Sequence, residues 1–154
     1  MFIEDLTTYQ YGIPFELAGV ITVGWLDSAH LFNKGIVAAD VIERLWHLIE
    51  IRTITFDLHA NIVRGIHPCN ICNREIYRPT PDGKRTMLGM SELWVPFLEK
   101  WFAAPTLIVH YIEEHEYRPP EIFIDAVMNV DTDKRIMVQE VFEQMCAPLM
   151  KDNR

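Results

Sequence analysis

Cysteine is scarce in this sequence, with three among 154 residues. Cys69 and Cys72 are separated by two residues, and Cys146 lies far from both. Small secreted domains that depend on disulfides carry more cysteines than this, usually an even number. We therefore exclude a secreted disulfide framework and expect a reducing environment, with Cys146 as a small core residue. A chain of this length buries enough surface to form a core without a disulfide or a metal.

Long hydrophobic runs are also missing. The longest uncharged apolar stretches, residues 18–26 and 103–112, are about ten residues long, whereas a membrane helix needs about 20. The first residues carry acids where a secretory signal would carry lysine or arginine. We therefore expect no membrane helix, no export signal and a cytoplasmic location. Repeats, low-complexity tracts and Gly/Ser linkers are absent as well, which predicts a single domain over residues 1–154.

Basic residues are too few for a domain-wide basic surface. The chain has 14 lysines and arginines against 22 acids, a formal charge of −8. Residues 1–50 and 111–154 each carry −5, and residues 51–110 carry +2. Nucleic-acid binding is therefore not favoured, and the acidic flanks could instead steer a basic protein partner. We expect the bases around the cysteine pair to be ordinary solvated residues: Arg64, Arg74, Arg78, Lys84 and Arg85.

Known catalytic motifs are absent, apart from half of one. The sequence has no G-x-S-x-G, no H-E-x-x-H and no glycine loop for phosphate. Zinc deaminases combine H-x-E with a later P-C-x-x-C, and the glutamate of the first motif moves protons. Residues 68–72 match the second motif, but His30, His47 and His59 all lack the glutamate. Deaminase chemistry is therefore not favoured, and we expect His47 and His59 at surface or edge positions.

The first part of the chain combines short predicted strands with one helix. Residues 20–26 and 53–58 are rich in β-branched residues, which is typical of strands. Between them, apolar residues recur at helical spacing over residues 37–50. Residues 74–79 and 86–97 flank a Thr-Pro-Asp-Gly turn. Proline and glycine there predict a β-hairpin directly after the cysteine pair.

The second part is predicted to be helical. A helix starts at Pro105 and is apolar on most faces as far as Glu113, which is typical of a buried helix. A pair of prolines ends it and opens a second helix over residues 120–128, and a third covers residues 131–148. Strands and helices in separate runs indicate an α+β fold. We expect a small antiparallel sheet or hairpin with a zinc knuckle, packed against three to four helices.

The segment Gly65-Ile66-His67-Pro68-Cys69-Asn70-Ile71-Cys72 predicts a zinc knuckle. Two thiolates separated by two residues in a tight turn can both face one tetrahedral ion. His67 lies two residues before Cys69, so its side chain leaves an extended segment on the same face. Two other interpretations remain open, a thioredoxin-type redox pair and two buried structural thiols. The prolines that follow are unfavourable for the helix that the redox pair requires.

The fourth ligand of such a site is predicted among the remaining histidines. His110 and His115 form H-x4-H, a spacing found in Cys2His2 sites. On one straight helix they would lie about 140° apart, so both reach one ion only if the helix ends or distorts between them. His110 could instead donate to a backbone carbonyl, and His30 is a further candidate. The predicted ligand set is His67, Cys69, Cys72 and His110 around one Zn²⁺.

The stretches VGWLDSAH, RLWHL, GIHPCNIC and AAPTLIVHYIEEHEYRPPEIFIDAV together resemble an uncharacterised family of small bacterial proteins, a domain of unknown function. That family combines a G-x-H-x-C-x-x-C knuckle with a downstream A-P-x-L-I-x-H-Y-I-x-x-H-x-Y-x-P-P helix pair. The resemblance covers roughly residues 2–128, and Phe102 stands where family members carry tyrosine. It implies a bacterial, cytosolic setting and supports five residues as ligands, but it implies no reaction. Those residues are His67, Cys69, Cys72, His110 and His115.

Two hypotheses of function follow. The first is a non-catalytic, protein-binding protein with a closed structural zinc site, a class that includes toxin-neutralising immunity proteins. The alternative is a zinc-dependent hydrolase in which three protein ligands leave a position for water, with Glu113, Glu114 or Glu116 as base. The number of protein ligands separates the two, because four indicate a structural site and three plus water a catalytic one.

Overall fold

The structure of the chain, a computed structural model, describes residues 1–152. The last two residues of the predicted domain lie outside the described residues. In chain order the elements are β1 (Thr8–Tyr9), β2 (Leu17–Thr22), α1 (Ala39–Glu50), β3 (Phe56–Asp57), β4 (His59–Ala60), β5 (Tyr77–Pro79), β6 (Arg85–Met87), β7 (Glu92–Phe97), β8 (Lys100–Pro105), α2 (Ile108–His115), α3 (Glu121–Met128), β9 (Ile136–Met137) and α4 (Val138–Asp152). The α+β class is therefore confirmed.

The main sheet has five strands in the order β1-β2-β8-β7-β4. All neighbouring strands are antiparallel except β2 and β8, which run parallel. The sheet is therefore mixed, whereas the sequence predicted an antiparallel one. The longest strand that the sequence analysis missed is β8, which lies just before the helix predicted from Pro105; the short strands β1, β4 and β9 were missed as well. Strand β8 pairs with β7 along its full length, from Glu92↔Pro105 to Phe97↔Lys100.

The hairpin predicted around Thr-Pro-Asp-Gly is present, formed by β5 and β6. Its second arm is shorter than predicted, because residues 92–97 leave it and join the main sheet as β7. The predicted strand at residues 53–58 is reduced to β3. The strand predicted at 20–26 begins earlier and ends at Thr22, since Gly24 has a left-handed φ of +78° that interrupts the extended chain.

The helices agree with the sequence except at the end of the chain. The predicted helices at 37–50 and 120–128 are α1 and α3, and the buried helix after Pro105 is α2. The helix predicted at 131–148 begins only at Val138. Ile136 and Met137 pair with β3 instead and so are held in an extended conformation. No helix among residues 1–152 is both long and apolar enough to cross a bilayer.

The core lies between the sheet and the helices. Helix α1 packs against α2 and α3, and α3 packs against β7. Arg44 on α1 also donates hydrogen bonds to the backbone oxygens of Val127 and Val130, which fixes α3 against α1. Cys146 is buried, as predicted for a core residue. The core includes residues of every major element, among them Val20, Leu45, Trp94, Phe102, Ile108 and Phe123.

His59 lies on β4, the edge strand of the main sheet, so the predicted edge position is confirmed, but its side chain is not at the surface. Its side chain is only 7% exposed. Nε2 lies 2.8 Å from the carbonyl oxygen of Ile49 and Nδ1 lies 2.6 Å from Oγ of Ser91. Because the carbonyl can only accept, Nε2 carries the hydrogen and Ser91 donates to Nδ1. The ring thus joins the end of α1 to the start of β7.

Candidate metal centre

The two neighbouring cysteines lie on a tight turn in the loop between β4 and β5. The backbone N–H of Cys69 donates to the carbonyl of Arg74, and that of Asn73 donates to the carbonyl of Cys69, both at 2.9 Å. Asn73 adopts a left-handed φ of 60°, which asparagine tolerates better than most residues. The backbone N–H groups of Ile71 and Cys72 point at Sγ of Cys69, at 3.3 and 3.4 Å. The turn therefore places two sulfurs together and supplies donors to one of them.

A second set of backbone contacts holds this loop against the segment between β6 and β7. The N–H of His67 donates to the carbonyl of Gly89 at 2.8 Å. Gly89 has a φ of +81°, and a side-chain carbon there would collide with the carbonyl oxygen of His67. Its own N–H donates to Oγ1 of Thr106 at 2.9 Å. Since Thr106 directly precedes α2, Gly89 fixes the cysteine loop relative to that helix.

Helix α2 supplies the two histidines. His110 is 3% exposed, and His115 is the last residue of the helix. The next residue, Glu116, is left-handed with a φ of 58°, and its N–H donates to the carbonyl of Tyr111. Both histidines therefore lie on the helix, and its last turn is distorted, because the N–H of Glu116 bonds to the carbonyl five residues before it instead of four. The two imidazoles lie side by side, with ring centroids 5.0 Å apart and planes at 85°.

Cys69, Cys72, His110 and His115 converge on one point. One ligand atom from each lies within 4.8 Å of all the others. Nε2 of His115 is 3.4 Å from Sγ of Cys69, and Nε2 of His110 is 3.4 Å from Sγ of Cys72. With Zn–S bonds of about 2.3 Å and Zn–N bonds of about 2.1 Å, tetrahedral coordination separates S and N by about 3.6 Å. The four side chains could therefore hold one metal ion.

The two thiols differ in their tendency to ionise. Burial raises the pKa of Cys69, and the neighbouring Cys72 adds to this, against the two N–H donors that lower it. Burial also acts to raise the pKa of Cys72, but hydrogen bonds from Arg74, His110 and His115 outweigh it and lower that pKa to about 5. Cys72 is therefore the more readily ionised of the two thiols, and the thiolate is the form that binds metals.

Three of the four predicted ligands, Cys69, Cys72 and His110, belong to this group, and His115 takes the place assigned to His67. Nε2 of His67 bonds instead to Oδ1 of Asn70 at 2.8 Å. The reason lies in the backbone, because His67 is anchored to Gly89 and its exposed side chain turns to the other side of the loop. His30 is also outside the group and bonds to Asp27.

The acids proposed as catalytic bases are engaged elsewhere or exposed. Glu113 accepts a hydrogen bond from the indole N–H of Trp46. Glu114 lies 3.9 Å from the guanidinium of Arg74, and Glu116 is exposed beyond the end of α2. None of the three belongs to the group of four ligands. The described residues thus present a site made of sulfur and nitrogen donors alone.

Comparison with known proteins identifies a family but no characterised relative. Neither the curated proteins nor the solved structures contain a match. The profile of one family, described as a domain of unknown function and named DUF7919, matches residues 1–128. This range includes all four residues of the cluster and every element as far as α3, and it leaves β9 and α4 outside. The chain therefore belongs to the DUF7919 family.

Proposed function

We propose that this chain is a zinc-binding protein in which one closed Cys2His2 site has a structural role. The observation that carries this proposal is the convergence of four protein donors within 4.8 Å of one another. A tetrahedral ion bound by all four has no position left for water or substrate. Sites with four protein ligands are typically structural, and catalytic zinc sites typically have three.

The donor set favours zinc over other metals. Two thiolates and two imidazoles suit Zn²⁺, whereas Mg²⁺ and Ca²⁺ prefer oxygen ligands. The hydrogen bonds that lower the pKa of Cys72 stabilise its thiolate. The N–H groups of Ile71 and Cys72 point at the sulfur of Cys69 and favour its thiolate in the same way. Such contacts around the ligands tune affinity for the ion. Iron and copper also bind these donors, and the experiment below distinguishes them.

The site would join parts of the chain that are far apart in sequence. Cys69 and Cys72 lie on a loop with little regular structure, and His110 and His115 lie on a buried helix. Cys69 and His110 are buried, Cys72 and His115 are partly buried, and the hydrophobic core extends well beyond them through sheet and helices. The ion would therefore act as a local clamp between the loop and α2. The alternative of a zinc-dependent hydrolase is disfavoured, because it needs an open coordination position and a nearby base.

The biological role we propose is non-catalytic binding of a basic protein in the bacterial cytoplasm, the kind of role a toxin-neutralising immunity protein has. The formal charge of −8 supports it. Asp40 on α1, Glu116 after α2 and Asp125 on α3 are exposed and form no ion pair among residues 1–152. Helices α1, α2 and α3 pack together, so these carboxylates belong to one helical layer. Such a charge distribution accelerates association with a cationic partner.

Elemental analysis of the purified protein tests the zinc proposal. We expect about one zinc per chain, and Cys69→Ser and His115→Ala should lose it. The matched control is His30→Ala, an exposed histidine outside the group, which should keep its zinc. Iron or copper in place of zinc, or the absence of any metal, would contradict the proposal.

Affinity capture from a bacterial lysate tests the partner proposal. The triple variant Asp40→Asn, Glu116→Gln, Asp125→Asn should lose a basic partner that the wild type retains, and high salt should weaken binding in the wild type. Capture that is insensitive to both changes, or no partner at all, would contradict this role while leaving the zinc proposal intact.

A further inference from the structure

A cleft of about 540 Å³ has none of the four ligand residues in its lining. The cysteine loop forms part of its wall through His67 and Asn70, and the start of β7 forms another part through Ser91 and Glu92. Its size falls within the range of sites for small organic molecules, about 300–1,000 Å³. His67, which the cluster of four does not use, thus faces a second site.

The residues that line the cleft range from exposed ones at its rim to buried ones at its floor. Val63 and His67 at the rim are exposed, whereas Trp25, Leu107 and Tyr111 are buried. Aromatic rings form part of the wall, since Tyr11 and Trp25 are in contact, with centroids 4.5 Å apart and planes at 44°. The indole N–H of Trp25 already donates to the carbonyl of Ala103. Trp25 therefore offers an apolar face and no free donor.

The polar groups of the cleft are mainly acceptors. Glu92 is 4% exposed. One of its carboxylate oxygens accepts from Tyr9 and Asn61, and the other accepts only from Trp94, which leaves one lone pair of the carboxylate unused. Asn70 donates through Nδ2 to the carbonyl of Leu26, so its oxygen accepts from Nε2 of His67. In the neutral ring, Nδ1 of His67 is then a second acceptor.

Glu92 is the only acidic side chain in the lining of the cleft, and the lining contains no lysine and no arginine. Met1, which carries an α-amino group, also lines the cleft and is 57% exposed. Burial raises the pKa of Glu92, against the lowering effect of Asn61, Trp94 and Tyr9, so the carboxylate is only partly compensated by its neighbours. A cation beside Glu92 would compensate the negative charge of its carboxylate. The aromatic rings in the wall would also attract a cation.

We propose that this cleft binds a small organic amine, with the protonated nitrogen at Glu92 and an apolar or aromatic body against Trp25 and Leu107. The site is separate from the metal centre but depends on the loop that the metal would hold, because His67 and Asn70 belong to that loop. An organic acid fits less well, since it would place a second carboxylate beside a buried one, with no lysine or arginine in the lining.

Calorimetric titration with three indole compounds of matched shape tests the proposal. The probes are tryptamine, the neutral alcohol tryptophol and the acid indole-3-propanoate. We expect tryptamine to bind at least about tenfold more tightly than indole-3-propanoate. Glu92→Gln should weaken tryptamine by about tenfold and change tryptophol by less than about twofold. Glu99→Gln, an exposed acid outside the cleft, should change neither.

A second pair of variants keeps the test valid if Glu92→Gln folds poorly. Ile62 and Val63 are neighbours with the same exposure, 54% each, but only Val63 lines the cleft. Val63→Trp should abolish tryptamine binding, and Ile62→Trp should leave it unchanged. Equal affinity for the amine and the acid, no binding of tryptamine at millimolar concentration, or full binding by Val63→Trp would overturn the proposal. Zinc content, measured on the same samples, reports on the metal centre independently.

Discussion

His110 and His115 are five residues apart on α2, and their rings lie 5.0 Å apart with planes at 85°. Each ring reaches a different cysteine, since Nε2 of His115 lies 3.4 Å from Sγ of Cys69 and Nε2 of His110 lies 3.4 Å from Sγ of Cys72. Both residues belong to α2, and His115 is its last residue, where the bond from the N–H of Glu116 to the carbonyl of Tyr111 distorts the final turn. The two histidines and the cysteine loop thus form one closed group.

The first prediction separates His115 from His67. His115→Ala should reduce zinc affinity by more than the roughly 10- to 100-fold lost when only an outer-shell partner is removed, because it deletes a ligand. His67→Ala should keep about one zinc per chain, since His67 bonds to Asn70 instead. Competition with a chromogenic chelator measures both affinities. The reverse result, zinc lost from His67→Ala and kept by His115→Ala, would reinstate the ligand set predicted from the sequence.

The second prediction concerns how far the effect of the metal extends. Chelation should increase hydrogen exchange in residues 65–74 and at the end of α2, because the ion would hold these two segments together. Strands β7 and β8 should keep their protection, since they pair along their full length inside the core. Hydrogen exchange followed by mass spectrometry checks this. Loss of protection throughout the sheet would mean that the metal organises the whole fold rather than one loop.

The third prediction rests on the contact between Gly89 and His67. Gly89→Ala should lower the free energy of unfolding by at least about 2 kcal/mol, because it combines a left-handed backbone with a collision at the carbonyl of His67. Gly65→Ala is the matched control, since a side chain there meets nothing within 4 Å. Denaturant unfolding of both variants, each loaded with zinc, gives the comparison. Similar stability of the two would show that the loop is not held at Gly89.

The fourth prediction is a pH dependence from His59. Burial lowers the pKa of His59 and Arg52 lowers it further, although the hydrogen bond to Ile49 opposes the shift. As the pH falls below about 6.5, the unfolded chain takes up a proton that the folded chain resists. The contribution to stability is therefore complete above that pH and is lost as the pH falls towards the folded pKa. The slope from this residue is at most about 1.4 kcal/mol per pH unit.

Comparison with His59→Gln isolates this residue. Every other titratable group is the same in both proteins, so the difference between the two stability curves belongs to His59. The variant should lose less free energy of unfolding than the wild type between pH 6.5 and pH 5. Parallel curves over this range would contradict the assignment.

Much of this fold could be predicted from local sequence pattern. The periodicity of residues 37–50 and the apolar residues before Glu113 were sufficient for α1 and the buried helix α2. Strand β8 was missed because Lys100–Pro105 leads directly into a helix, and its pairing with β2 is a contact between distant segments. The late start of α4 has the same origin, since Ile136 and Met137 pair with β3.

Part of the metal site could also be predicted from local sequence. The short spacing of Cys69 and Cys72 restricts both to one turn, so local sequence indicated them. The choice between His67 and His115 depended on two features with weak sequence signals, the left-handed Glu116 that ends α2 and the anchoring of His67 to Gly89. The burial of His59 on its edge strand had no local signal, because its partners, Ile49 and Ser91, come from other parts of the chain.

X-ray absorption at the zinc edge of the purified protein tests the central claim most directly. A closed Cys2His2 site predicts two sulfur ligands at about 2.3 Å and two nitrogen ligands at about 2.0–2.1 Å, with no oxygen in the coordination shell. Three protein ligands with a bound water would contradict the structural role and favour a hydrolase. A protein that takes up no zinc at all would contradict the metal centre itself.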